Sequence, residues 1–472
     1  MKLVLFYPPE QNLIDTDLPK VLEQGIGVVP PLGLLYIAAS VQHYTDWDVE
    51  VVDSLAEKLD YKQIEQRIRD SQPDAVGITV MTHVLIDSLN VAKIAKKVDP
   101  NIKTIFGGPH VHLYPEQSIA FDCVDYATVG EGEYTIVELL RSWNKPSELN
   151  KIHGLYFKQM DKTFMSIHQQ KHIENLDDII HPARQLIKNK LYFSSMSRHP
   201  MLTTMITSRG CPYKCVFCDR PNLGKKFRAR SAGDVVDEIE ECVELGIHEI
   251  VLYDDTFTVN RNRVLDICRE IELRGIHINW SIRARVDKVD TDMLAALKSA
   301  GCERINYGVE SGNDEILKKL HKGITKEQAL KAFKLTKKIG IQTVAYFMFG
   351  CPGETKSQMM ETIEFAKQLN PDYCHFTILV PFPGTPLYTK GLASRILTKD
   401  YWLEFAQNPT PDFKPELWIE QVPREELENI LVQAYKEFYM RPKYLLKRLT
   451  ELRSLCELKR KLQAGIYMLR SK

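Results

Sequence analysis

The chain lacks most of the features that place a sequence quickly. It carries no net charge, because 62 Lys and Arg balance 62 Asp and Glu over 472 residues. The molecule as a whole therefore offers nucleic acid no polycation, and no nucleic-acid partner is expected. No stretch approaches the ~18 uninterrupted apolar residues that a spanning helix needs. The opening "MKLVLFYPPE" breaks at Pro8-Pro9 before a signal-type apolar run can form. A disulfide framework is missing too. Of ten cysteines, Cys123, Cys242, Cys268, Cys302, Cys351, Cys374 and Cys456 are scattered through helix-like and strand-like patterns. These absences point to a reducing, cytoplasmic location. No G-x-G-x-x-G follows the first strand pattern, which argues against a dinucleotide.

What is present suits a globular chain of two or three domains, with 44% apolar and 26% charged residues. Residues 1–145 alternate short apolar runs ("KLVLF", "DVEVVD", "DAVGITV", "IKTIF", "VDYATV") with helical patterns. That alternation predicts βαβ units and a doubly wound parallel sheet, with ligands at the carboxyl ends of its strands. Those ends are "YPPE" (7–10), "TVMTH" (79–83), "GGPHVHLYPE" (107–116) and "VGEGE" (129–133). Residues 146–200 read as a connector, with a hairpin expected over 154–167. From 201 to 390 six further βα units predict a partial barrel, short of the eight that close one. Residues 391–472 read as a mainly helical region.

The chemistry is concentrated in "SRGCPYKCVFC" (208–218), which follows the first strand of the barrel. Cys211, Cys215 and Cys218 stand as C-x-x-x-C-x-x-C. A structural zinc ion needs a fourth protein ligand, and neither Cys242 nor His248 is spaced to supply it. A [4Fe–4S] cluster normally takes four cysteines, so three would leave one iron open to substrate or cofactor.

This triplet, with the aromatic Phe217 before its last cysteine and a six-unit βα domain around it, resembles the radical S-adenosylmethionine (SAM) superfamily. The resemblance covers about residues 200–390. It implies that the open iron binds SAM, that one electron from the cluster breaks its S–C5′ bond, and that a 5′-deoxyadenosyl radical takes hydrogen from substrate. It also implies SAM contacts at Phe217, with core packing as the alternative, and at the later strand ends. Asp254 or Asp255 in "YDDTF" would meet the amino group, with helix capping as the alternative. Arg283 or Arg285 in "SIRARVD" would meet the carboxylate, with a surface ion pair as the alternative. Glu310 and Ser311 in "YGVESG" would meet the ribose. In "FMFGCPGE" the backbone at Gly350 and Gly353 would flank the adenine, with Cys351 a bystander.

The glycine-rich strand ends of the first domain resemble the cobalamin-binding domain ahead of many radical SAM barrels. The implied corrin contacts are Pro8, Thr79, His83, Gly107, Gly108, His110, Gly130, Glu131 and Gly132. The D-x-H-x-x-G signature that supplies a cobalt ligand is absent: Met81 and Gly108 stand two residues before His83 and His110. Water, no ligand, His83, His110 and His112 all stay open as the lower ligand. The combined pattern resembles the cobalamin-dependent radical SAM enzymes. Their common reaction moves methyl from methylcobalamin to an unactivated carbon, and a second SAM restores the carrier. Alternatives are a cyclase or oxidase of the magnesium-protoporphyrin monomethyl ester type, a radical SAM enzyme without cobalamin, and a non-catalytic cobalamin sensor. Expected partners are a small-molecule, lipid or tetrapyrrole substrate and an electron donor such as flavodoxin or ferredoxin. The C-terminal stretch 441–472 holds ten Lys and Arg against two Glu. Its amphipathic part (444–462) is expected to pack on the barrel, with peripheral contact to anionic lipid as the alternative.

Overall fold

The structure is a computed structural model and describes residues 1–14, 27–159, 162–165, 172–194, 196–219 and 224–450. Its strands in chain order are β1 (Lys2–Tyr7), β2 (Gly27–Val28), β3 (Asp48–Asp53), β4 (Ala75–Thr79), β5 (Lys103–Gly107), β6 (Tyr126–Thr128), β7 (Leu155–Gln159), β8 (Lys162–Met165) and β9 (Phe193–Ser194). There follow β10 (Thr203–Met205), β11 (Ser208–Arg209), β12 (Arg228–Ala229), β13 (Glu249–Leu252), β14 (Asn279–Ala284), β15 (Cys302–Glu310), β16 (Gln342–Phe349) and β17 (Tyr373–Ile378).

The first sheet runs β3-β1-β4-β5-β6-β7-β8, parallel through β6. Successive side chains of β1 leave on opposite faces, as strand geometry requires. Leu3 and Leu5 join Leu35, Ala38 and Leu139 on one side, and Val4 and Phe6 join Ile64, Leu89 and Ala92 on the other. Burial on both faces explains why this strand reads as one continuous apolar run. The expected hairpin forms as β7 and β8, and β7 pairs antiparallel with β6. The first sheet thus reaches into the segment read as a connector.

The second sheet is parallel throughout, in the order β10-β13-β14-β15-β16-β17. It is an open, partial barrel. Ile282, Ile305, Tyr307, Val309, Phe347 and Phe376 point outward into a core shared with the helices. The alternate positions, among them Ser281, Arg283, Asn306, Tyr346 and His375, line the concave inner wall. Sharp helix signals keep the layers in step. Thr325 and Gln328 form a capping box before the helix Lys326–Ile339, and Gly340 closes it at φ 83°.

The C-terminal region divides its packing between the domains. Tyr401, Trp402 and Phe405 of the helix Tyr401–Gln407 join the first domain's core beside Val111 and Tyr114. The helix Arg424–Tyr439 covers the edge strand β17 instead. Its Tyr435 hydroxyl donates to the Phe376 carbonyl (2.9 Å) and accepts from that residue's N–H (3.1 Å). Tyr439 makes the same pair of bonds with Cys374. Two tyrosines so satisfy an edge that would otherwise be open to pairing. The basic stretch 444–462 enters the helix Pro442–Thr450, and the rest of it lies outside the described residues. No helix among the described residues is long and apolar enough to cross a membrane.

Candidate active site

The cysteine loop leaves the barrel after β10, framed by the antiparallel pair β11–β12. It is held at three points. The Val216 N–H donates to the Leu320 carbonyl at 3.1 Å, and the Leu387 N–H donates to the Val216 carbonyl at 3.0 Å. The Arg285 guanidinium lies 3.9 Å from the Tyr213 ring centroid. Cys215 is buried and Cys211 partly buried, with its Sγ 3.9 Å from Thr256 Oγ1. Cys218 is open to solvent, yet protein crowds its thiol. Burial first, then the charges of Asp255, Cys215 and Cys211, push it up to about 12. Burial likewise raises Cys215, against the charges of Lys322 and Arg285. Three thiols that feel one another in this way form a donor set that a cationic iron–sulfur cluster would hold deprotonated. Among the described residues, no group of three or more His, Cys, Asp and Glu side chains is already drawn together as it would be around a metal ion.

The expected SAM contacts separate by position. Asp254 is fully buried and spent inside the protein: its carboxylate accepts from the Thr207 N–H and hydroxyl, both at 2.7 Å, and from the Ser208 hydroxyl. Asp255 is the carboxylate turned toward the cysteines. Burial and the Asp254 charge raise its pKa, and Arg283 opposes them. The two arginines divide similarly. Arg285 is buried, donating to Asp287 (2.9 Å) and to the carbonyls of Lys322 (2.8 Å) and Gly323 (3.3 Å). Its expected place at the SAM carboxylate gives way to a structural one, bracing the cysteine loop. Arg283 is exposed on the inner wall, 4.6 Å from the Tyr253 ring centroid. Glu310 ends β15 at a bulge with φ 73°, and its Oε1 accepts from Lys322 Nζ at 2.7 Å. Ser311 is buried, and its Oγ is 3.2 Å from Thr362 Oγ1. Phe217 packs against Ile316, Leu320, Cys351 and Trp418. Gly350 has φ 75°, and a β-carbon there would lie 3.3 Å from Leu427.

On the first domain, Pro8, Thr79, His83, Gly107, Gly108 and His110 gather at the carboxyl edge of the sheet. Gly108 has φ 107°, and a β-carbon on it would stand 3.0 Å from the Val80 carbonyl oxygen. Burial pushes His110 down to about 4 and lowers His83. It also lowers His112, with help from His172. All three imidazoles are neutral near pH 7. His110 donates to or accepts from Thr82 through Nδ1 (3.1 Å), and its buried Nε2 has no partner among the described residues. An uncharged edge of proline, glycine and neutral imidazole fits a large corrin ring. Gly130, at φ 79°, turns the chain away from this edge.

Glu131 is a correction. Its carboxylate does not face a corrin but is buried against the second domain. It receives both Arg228 terminal nitrogens at 2.9 and 3.0 Å, the Ile173 N–H at 2.6 Å and Arg209 at 3.1 Å. Arg209 also pairs with Glu133. Gly132 packs beside Ile37, where a β-carbon would lie 3.0 Å away. The two domains are thus clamped two residues before Cys211. The faces also meet at Gly384, on the loop after β17. A β-carbon there would stand 2.9 Å from Leu113 of the first domain and 3.1 Å from Asp219, next to Cys218.

Comparison with known proteins agrees with this layout. The profile of the Radical SAM superfamily matches residues 205–366, and that of the B12 binding domain matches residues 21–140. An uncharacterised methyltransferase of Pyrococcus horikoshii is 36% identical over 455 residues, 96% of this chain and 95% of that protein. The chain belongs to the cobalamin-dependent radical SAM enzymes. A radical SAM enzyme of this kind uses a [4Fe–4S] cluster, SAM and cobalamin. An anaerobic magnesium-protoporphyrin IX monomethyl ester cyclase of Rubrivivax gelatinosus is 28% identical, covering 88% of this chain and 75% of its own. Among solved structures, the cobalamin-dependent radical enzyme OxsB with aquacobalamin and SAM bound superposes with a TM-score of 0.73 at 18% identity, covering 99% of this chain and 72% of its own. The methyltransferase TsrM from Kitasatospora setae, with cobalamin and cluster bound, gives 0.68 at 18% identity, over 84% and 78%. These two share the fold. The sequence reading missed Lys322, Tyr213 and the Arg209–Glu131–Arg228 clamp, because each acts through a partner distant in the chain.

Proposed function

We propose that this radical SAM enzyme methylates an unactivated carbon of a small molecule, using an external low-potential donor such as flavodoxin or ferredoxin. The observation that carries the reading is the meeting of the two domain faces at Gly384, where Leu113 and Asp219 flank one loop. That contact sets a strand-end segment of the first domain beside the residue that follows Cys218. The relative with 36% identity, named a methyltransferase, supports the same reading.

When bound, the cluster, SAM and cobalamin supply the electron, the radical and the methyl carrier. This chain does the rest. Cys211, Cys215 and Cys218 would hold three irons and leave the fourth for SAM. Asp255 would accept from the SAM amino group, and Arg283 would pair with its carboxylate. Glu310, fixed by Lys322, would accept from the ribose hydroxyls. The backbone from Gly350 to Gly353 lies where β16 ends and would flank the adenine. Tyr346 and His375, register partners on β16 and β17 with rings 5.5 Å apart, form the inner wall that a substrate would touch. The Glu131–Arg228 clamp fixes the first domain against the barrel domain, and so would hold a bound corrin in place relative to the cysteine loop.

The test uses SAM carrying a deuterated methyl group, with enzyme loaded anaerobically with iron, sulfide and hydroxocobalamin and then reduced by a low-potential donor. Label on the bound cobalamin and release of S-adenosylhomocysteine are expected. Release of 5′-deoxyadenosine with no S-adenosylhomocysteine would replace methyl transfer with chemistry of the cyclase type.

A further inference from the structure

Nothing in the local pattern "LKKLHKGIT" marks Lys322, yet the structure makes it a hub. It lies between the helix Asp314–Lys319 and the helix Lys326–Ile339, flanked by His321 at φ 51° and Gly323 at φ 66°. These two turns direct its side chain inward, and the residue is 8% exposed. Its Nζ meets Glu310 Oε1 at 2.7 Å and stands 5.8 Å from the Phe217 ring centroid. Gly308 makes the room. A β-carbon there would sit 2.5 Å from Glu310 Oε1 and 2.9 Å from Lys322 Nζ, and the glycine has no left-handed backbone to explain it otherwise. The main chain of the same segment carries the cysteine loop: the Lys322 carbonyl accepts from Arg285, and the Leu320 carbonyl accepts from Val216.

We propose that Lys322 is a positioning residue with two roles: it orients Glu310 toward the adenosyl ribose, and its charge raises the reduction potential of the cluster. The second role rests on the cysteine triplet being the cluster site. Reduction adds one negative charge to the cluster, and a cation nearby in a low-dielectric setting stabilises the reduced state. Lys322 is placed to act in this way: its Nζ stands beside the ring of Phe217, the residue before Cys218, and its own segment holds Val216, the residue after Cys215.

The experiment compares the full chain with Lys322→Met, Lys322→Arg and Glu310→Gln after anaerobic reconstitution. Iron and sulfide per chain are measured first. A redox titration followed by electron paramagnetic resonance gives the midpoint potential, and equilibrium binding gives the SAM affinity. Lys322→Met is expected to keep its cluster at a more negative potential and to bind SAM roughly tenfold more weakly, through the unpaired Glu310. Lys322→Arg keeps a potential near the wild type's. Glu310→Gln moves the potential upward while weakening SAM binding. A full cluster at unchanged potential in Lys322→Met overturns the proposal. Should that variant take up no cluster, Glu310→Gln decides: a raised potential supports the electrostatic role, and an equal or lower one overturns it. A wild-type chain that takes up no cluster overturns the cysteine reading itself, and the proposal with it.

Discussion

Gly308 shows how one missing side chain can set a site. Its inward hydrogen leaves the space that the Glu310–Lys322 pair fills. Gly308→Ala should therefore fold, because the backbone there suits any residue, but should displace the pair. We predict roughly tenfold weaker SAM binding, the scale of one disrupted buried contact. Equilibrium binding checks this, and an unchanged affinity would separate Glu310 from the ribose role. Single residues were legible in the sequence only where their partners are close in the chain. The three cysteines are such a case, with their spacing fixed within eight positions. The choices between Asp254 and Asp255, and between Arg283 and Arg285, were not. Each turns on which way a strand end faces, and the answer depends on Thr207 and Ser208 for the aspartates and on Lys322 and Gly323 for the arginines.

The strands of both sheets were legible because each is a short apolar run ended by a turn. The pair β11–β12 was not, being two residues long on each side and set by its partner. That pair carries the clamp between domains. Removing Arg209 leaves Glu131 and Glu133 buried with a partner lost. We predict that Arg209→Ala destabilises the chain by about 3–5 kcal/mol, the cost of breaking a buried ion pair from one side. Thermal unfolding measures it, and a loss below about 1 kcal/mol would mean the clamp is a weak surface pair. The clamp also has a pH signature. Burial alone would raise the Glu131 carboxyl, but hydrogen bonds from Arg228 and Ile173 and the Arg209 charge outweigh it and hold it below the usual range. A depressed folded pKa contributes stability that is fully present above the unfolded value near 4.5 and is lost as pH falls through the folded one. The unfolding temperature of the wild type should thus fall more steeply below pH 4.5 than that of Glu131→Gln. Parallel curves for the two proteins would contradict the assignment.

At the scale of the whole molecule, the C-terminal region ties the domains together by giving the helix Tyr401–Gln407 to one core and the helix Arg424–Tyr439 to the other. Its division was not legible, since both helices carry similar apolar stripes and only the tertiary fold decides which core each joins. The sites themselves are nonetheless separable. Gly108→Val would place a branched side chain against the Val80 backbone at φ 107°, disrupting the carboxyl edge of the first sheet. We predict loss of bound corrinoid with iron and sulfide content preserved, read from the visible spectrum and metal analysis of one sample. Equal loss of both would mean the two sites fold as one. The central claim is that three thiolates leave an iron open for SAM. The most direct measurement is 5′-deoxyadenosine formed by the reduced, iron- and sulfide-loaded chain supplied with SAM. The account predicts steady production by the wild type and none by a folded Cys215→Ala variant. Production by that variant at the wild-type rate would contradict it.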